Sequence, residues 1–144
     1  MPPVNNQALN SYKTIGAHSQ VASADPYKLV SLLLNNVIER LAAARGHMER
    51  REVAKKGEQI SKAIAVISAL DGSLNFELGG EIAQNLHSLY EYMCVRLVNA
   101  NLNDELAGLD EVSALTRTIK DGWDGIAGTP RPPVAAASAA VPAP

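Results

Sequence analysis

The sequence predicts an all-α protein: an antiparallel up-down four-helix bundle with a short N-terminal helical arm and a disordered C-terminal tail. Three observations predict it. Apolar residues recur at steps of three and four along four long stretches. Short turns carrying Gly, Asn and Asp separate those stretches. Aromatic residues make up only 4% of the chain, while Ala and Leu abound, the reverse of strand preference.

Residues 1–22 form the arm, 23–127 the bundle and 128–144 the tail. In the arm, Ala8, Leu9, Tyr12 and Ile15 make one short apolar stripe, interrupted by Gly16. An isolated helix of that length is marginal in water, so the arm needs a surface to dock on. The first long helix opens at Asp25-Pro26, an N-terminal acceptor followed by a residue suited to the first helical position. Its stripe is Val30, Leu33/Leu34, Val37, Leu41, Ala44 and Met48, with Gly46 near its end. The second helix is expected from about Glu52 to Leu74, with Val53, Ile60, Ile64, Ile67, Leu70 and Leu74 inward. A turn is expected between Asp71 and Gly80. The third helix then runs from about Glu81 to Asn101, presenting Ile82, Leu86, Leu89/Tyr90, Met93, Leu97 and Ala100. The fourth runs from about Asp104, read as its cap, to Ile126, presenting Leu109, Val112, Leu115, Ile119, Trp123 and Ile126. Such helices bury their stripes only against each other, and short connections make sequence neighbours antiparallel. The tail holds five of the eight prolines and no core pattern.

Composition and motifs argue for binding rather than catalysis. The net charge is −2, and the one basic cluster, Arg50-Arg51 with Lys55-Lys56, is interleaved with Glu49, Glu52 and Glu58. That argues against a nucleic-acid surface and for a solvated turn. Cys94, the single cysteine, allows no internal disulfide, and no Cys/His metal pattern is present. The opening residues lack the plan of a signal peptide, and no apolar run approaches the ~18 residues of a membrane span. A cytoplasmic protein without membrane insertion is expected. Residues three before His18, His47 and His87 are not acidic, so the di-iron Glu-x-x-His motif is absent, and neither cofactor nor metal is expected. Gly79-Gly80 lacks the strand, Lys and Ser/Thr of a P-loop and reads as a turn. The alternative function is a histidine phosphotransfer bundle using His87, but Ser88, Leu89, Tyr90 and Glu91 follow it, where such a site needs a cation and small residues.

Apolar residues exceed a narrow stripe at Leu29, Leu32, Leu33 and Leu34, and again at Tyr90, Tyr92 and Met93. A helix apolar on too many sides is central in its bundle or faces a partner.

The run Gly79-Gly80-Glu81-Ile82-Ala83-Gln84-Asn85-Leu86, continuing Leu89-Tyr90-x-Tyr92-Met93 and Arg96-Leu97-x-x-Ala100-Asn101, closely resembles the flagellin-specific secretion chaperones, the FliS family. So does Ala24-x-Pro26-x-x-Leu29, with Tyr12 upstream, and the similarity spans about Tyr12 to Trp123. Where the family usually carries Leu-Tyr-Asp-Gly, this chain has Leu33-Leu34-Asn35-Asn36. The resemblance implies an antiparallel helical bundle without enzymatic activity. It implies a cytoplasmic chaperone that binds the disordered C-terminal segment of flagellin, prevents premature polymerisation and presents it to the flagellar type III export apparatus. The residues expected to meet flagellin are Tyr12, Ile15, Leu29, Leu33, Leu34, Leu89, Tyr92 and Met93 for apolar contact. Asn85, Arg96 and Asn101 are expected either to satisfy the partner's backbone or to cap and join helices within the bundle.

Overall fold

A computed structural model describes residues 26–125, which form four helices and no strand. The arm with Tyr12 and Ile15, the Asp25 cap, Ile126 and the tail lie outside the described residues.

Helix α1 spans Pro26–Glu49. Every residue of its expected stripe, from Val30 to Met48, is buried, joined by Tyr27. Its end is a Schellman motif: Arg51 N–H donates to Met48 O at 3.2 Å and Glu52 N–H to His47 O at 2.9 Å. The left-handed position that closes it is Arg51 (φ 58°), not a glycine. Gly46 serves a different purpose. A Cβ there would lie 3.1 Å from the Arg50 guanidinium, which folds back to bond Glu52 and His47. Within the basic cluster, Arg50 is paired inside the turn and Lys56 with Asp104 at the end of a later helix.

Helix α2 spans Val53–Gly72 and buries Lys56, Ile60, Ala63, Val66, Ile67 and Leu70. Two expectations change. Val53 is 67% exposed, because the first residue of the helix lies past the end of the core. Ile64 is only partly buried, since Ala63 and Val66 take the inward places.

Helix α3 spans Phe76–Asn103 and so starts before Glu81. Asn75 caps it, its Oδ1 accepting from Leu78 N–H at 3.1 Å. One helical turn follows, then a break at Gly80 (φ 51°, ψ −126°), a conformation that a Cβ would strain. The expected turn thus shrinks to a cap and a break, and the long helix resumes at Glu81. Asp104 is also reassigned. It does not cap the fourth helix but ends α3 in the left-handed conformation (φ 53°, ψ 49°), which aspartate tolerates.

Helix α4 spans Leu106–Gly125 and buries Gly108, Leu109, Val112, Thr116 and Trp123. The Thr116 hydroxyl is satisfied by Val112 O at 2.7 Å. A Cβ at Gly108 would fall 2.7 Å from Ala100 Cβ, so this glycine permits the close approach of α3 and α4.

The helices form a ring in which α1 packs on α2 and α4, and α3 packs on the same two. Polar pairs fix the antiparallel sense. Ser31 and Asp124 join the start of α1 to the end of α4, while Arg45 and Asp110 join the opposite ends. Lys56 with Asp104 and His87 with Asp71 do the same for α2 and α3. At one end of the core, Trp123 Nε1 donates to Tyr27 O at 2.7 Å and its ring packs 5.0 Å from that of Tyr27.

Candidate functional site

The residues singled out from the sequence separate into two groups. Leu33 and Leu34 of α1 and Met93 of α3 are core residues, at most 1% exposed, because each of these helices is flanked by both α2 and α4. Leu29 and Leu89 are partly buried against that core. Asn85 is exposed, and Tyr92 is 46% exposed. Asn101 is half-buried, and its carbonyl accepts from Lys56 Nζ at 2.9 Å.

Arg96 lies between two carboxylates of the α3–α4 seam, Glu105 at 3.0 Å and Glu111 at 2.8 Å. Tyr92 Oη donates to the same Glu111 at 2.5 Å. The Tyr92 hydroxyl bond, and then the Arg96 guanidinium, hold the Glu111 carboxyl below the usual range. The same bond, aided by burial, raises the Tyr92 phenol. This network fixes the Tyr92 ring at the edge of α3, with one face toward solvent.

Sequence reasoning missed the row that continues from Tyr92. Val95, Val98 and Leu102 are 58%, 46% and 73% exposed, at steps of three and four on the outward side of α3. The signal was present in the sequence: α3 carries two apolar rows, and only the inner one, Met93–Leu97–Ala100, was needed for the core. Tyr92 to Leu102 spans ~15 Å of helix. The pairing of Lys56 with Asn101 and of His87 with Asp71 sets the α2–α3 register. That register brings Gly57, Ser61 and Ala65 of α2 level with Leu102, Val98 and Val95. A Cβ added at Gly57 would meet nothing within 4 Å. Small residues of α2 thus lie at the same height as the large exposed row, with the Glu58–Lys62 ion pair between them in sequence. At the other end of α3, Phe76 and Leu78 are also exposed.

His87 is poorly placed for phosphotransfer. Its Nδ1 is 2.7 Å from Asp71 Oδ1 and its Nε2 is 3.6 Å from Glu91 Oε2. The Asp71 hydrogen bond raises the imidazole's pKa, and the carboxylates on both sides of the ring repel an incoming phosphoryl group where such a site needs a cation. Cys94 is half-buried, and burial raises its thiol pKa, which opposes nucleophilic use. Among the described residues, no group of three or more His, Cys, Asp or Glu could hold a metal ion. No helix among them is long and apolar enough to cross a membrane.

A bundle of this topology, with a conspicuous apolar row on α3, agrees with the resemblance carried by the Gly79–Asn101 run. The family profile described as "Flagellar protein FliS" matches residues 8–130. The chain belongs to the FliS family. It is 48% identical to the flagellar secretion chaperone FliSB of Pseudomonas aeruginosa over 120 residues, covering 83% of this chain and 95% of that one. It is 37% identical to flagellar secretion chaperone FliS of Vibrio cholerae, covering 83% and 88%. It is 39% identical to the Salmonella typhimurium FliS, covering 82% and 88%. These FliS relatives are all named chaperones, and none is named as an enzyme.

Proposed function

We infer that this FliS-family protein binds the C-terminal segment of flagellin in the cytosol. It thereby keeps flagellin from polymerising early and supports its delivery to the flagellar type III export apparatus. Family membership supports the chaperone role, and the observation that carries the binding mode is the outward row Tyr92–Val95–Val98–Leu102. A segment destined for a filament core is amphipathic, and docking it in a groove is the helical form of peptide capture. Asn85 and Leu89 extend the proposed surface toward the N-terminal half of α3. Leu33, Leu34 and Met93 contribute from beneath, by holding α1 and α3 in place. Tyr12 and Ile15, outside the described residues, remain proposed flagellin contacts. The protein acts by binding, without turnover.

Ordering the guest segment costs several kcal/mol, which burial at roughly 25 cal/mol per Å² must exceed. Calorimetry with full-length flagellin, and with flagellin lacking its C-terminal segment, tests the reading. One-to-one binding with a negative heat-capacity change is expected for the first and none for the second. Equal binding of both, or binding of neither, overturns the proposal. Tyr92→Glu and Val95→Glu are each expected to weaken binding at least about tenfold, the loss of an interface anchor, with unchanged circular dichroism. Wild-type affinity in both variants would remove the row from the site.

A further inference from the structure

The first turn of α3, residues 76–79, is bounded by a hinge and tied down by a ring. Before it, Leu74 is buried in the core. After it, Gly80 has φ 51° and ψ −126°, the mirror image of extended backbone, which glycine enters and other residues avoid. Asn75 closes the turn on itself: its Oδ1 accepts from Leu78 N–H at 3.1 Å and its carbonyl from Gly79 N–H at 2.8 Å. Both bonds are internal to the turn and leave it free to move as a unit. Phe76 and Leu78 are exposed. Across the hinge, the Phe76 ring packs edge-to-face with the His87 imidazole, the centroids 5.9 Å apart and the planes at 84°.

His87 joins three elements. Its Nδ1 lies 2.7 Å from Asp71 Oδ1 in the last turn of α2, its Nε2 lies 3.6 Å from Glu91 Oε2 one turn along α3, and its ring meets Phe76. Among the described residues, ion pairs reach the ring from these two acids alone. Glu77 and Glu81, the acids on either side of the hinge, make none with it, and on α4 the nearest cation to that end, Lys120, is paired with Asp124. Cys94, two turns on, also feels the Asp71 charge, but burial is the main cause of its raised thiol pKa, and it stays neutral at neutral pH. When charged, the imidazole donates to Asp71, attracts Glu91 through its second N–H and offers a cation within about 6 Å of the Phe76 ring, a favourable distance. When neutral, it keeps one N–H. With that proton on Nδ1 for Asp71, the Nε2 lone pair faces the Glu91 carboxylate, and the approach turns repulsive. The ring contact with Phe76 loses its charge at the same step.

We propose that His87 is a proton-operated latch: its charged ring holds the 76–79 turn against α3, and loss of the proton lets the turn swing about Gly80, carrying Phe76 and Leu78 away from the bundle. The Asp71 hydrogen bond, then the Asp71 charge, raise the ring's pKa against the effect of burial, and Glu91 adds to them. The latch is therefore closed below the ordinary histidine value of about 6.5 and opens as the pH rises through the higher folded value.

The test follows the full chain by NMR from about pH 5.5 to 9, a range that brackets histidine titration. The ring signals of His87 give its midpoint. Cross-peaks between the Phe76 and His87 rings, and the ¹⁵N relaxation of residues 77–80, report the turn. The cross-peaks are expected to weaken about twofold or more on the alkaline side, in keeping with the modest strength of an exposed cation–ring contact. The turn is expected to gain mobility with the same midpoint as the imidazole. In Phe76→Leu, His87 is expected to titrate while the turn no longer follows it. In His87→Gln the turn is expected to be mobile at every pH. A turn that keeps its contacts and rigidity while His87 titrates overturns the latch. So does a turn whose pH response is unchanged in Phe76→Leu or in His87→Gln.

Discussion

Lys56 Nζ lies 2.6 Å from Asp104 Oδ1, joining the first turn of α2 to the left-handed residue that ends α3. The lysine side chain is only 5% exposed, whereas the aspartate is 64% exposed. The pair is therefore a buried cation held by an accessible acid, with Asn101 O as the second acceptor. Asp104→Asn keeps a residue that tolerates the left-handed conformation and removes only the charge. It is expected to lower stability by about 1.5 kcal/mol, the low end for a hydrogen bond to a charged group, because the acid is exposed. Urea denaturation at neutral pH measures it.

Two of the helical glycines, Gly57 and Gly108, are expected to respond oppositely to alanine. At Gly108 the new Cβ would press on Ala100, forcing α3 and α4 apart at a cost of about 1–3 kcal/mol. At Gly57 nothing lies within 4 Å, and helix propensity alone favours alanine by roughly 0.8–1 kcal/mol. Thermal melts of the two variants should move in opposite directions.

Stability is expected to have an acid limb and a weaker alkaline one. Arg45 lowers the pKa of Asp110, chiefly through their hydrogen bond; Lys120 does the same for Asp124, and Tyr92 for Glu111. A carboxyl whose folded pKa is depressed stabilises the fold above its unfolded value, about 4. That contribution disappears as the pH falls through the folded value. His87 runs the other way. Its pKa is raised by Asp71, so its contribution is full below the unfolded value of about 6.5 and is lost as pH rises through the folded one. Urea midpoints from pH 3 to 9 are expected to peak in the mildly acidic range. His87→Gln should flatten the alkaline limb and leave the acid limb in place.

How far these features were legible in the sequence depended on whether they were local. The α1 stripe from Val30 to Met48 is legible because a 24-residue helix with an unbroken three-four pattern has one arrangement that hides it. Asp104 was misread because aspartate suits both a helix start and a left-handed helix end, and only the spacing to Ala100 O separates the two. The first turn of α3 was missed because Gly79-Gly80 looked like loop, whereas Asn75 had already begun a helix. Leu33 and Leu34 look like partner surface in the sequence because nothing in a single helix says how many neighbours surround it, and α1 has two. The Arg96–Glu111–Tyr92 network and the approach at Gly108 depend on how α3 sits on α4, a distance that no local pattern encodes. The outward row on α3 was visible as residues but not as surface until the inner row had been assigned to the core.

The ring closes between chain segments far apart in sequence. Trp123 bonds the Tyr27 carbonyl, and Asp124 bonds Ser31, so the last turn of α4 seals the first turn of α1. During synthesis, α1, α2 and α3 leave the ribosome before that seal exists. Until α4 follows, the flanks of α1 and α3 that it covers stand open as an apolar trough, the kind of surface that makes nascent intermediates prone to associate. Translation therefore leaves this family member, for the time needed to make its last described helix, in the same exposed condition that we propose it relieves in its client.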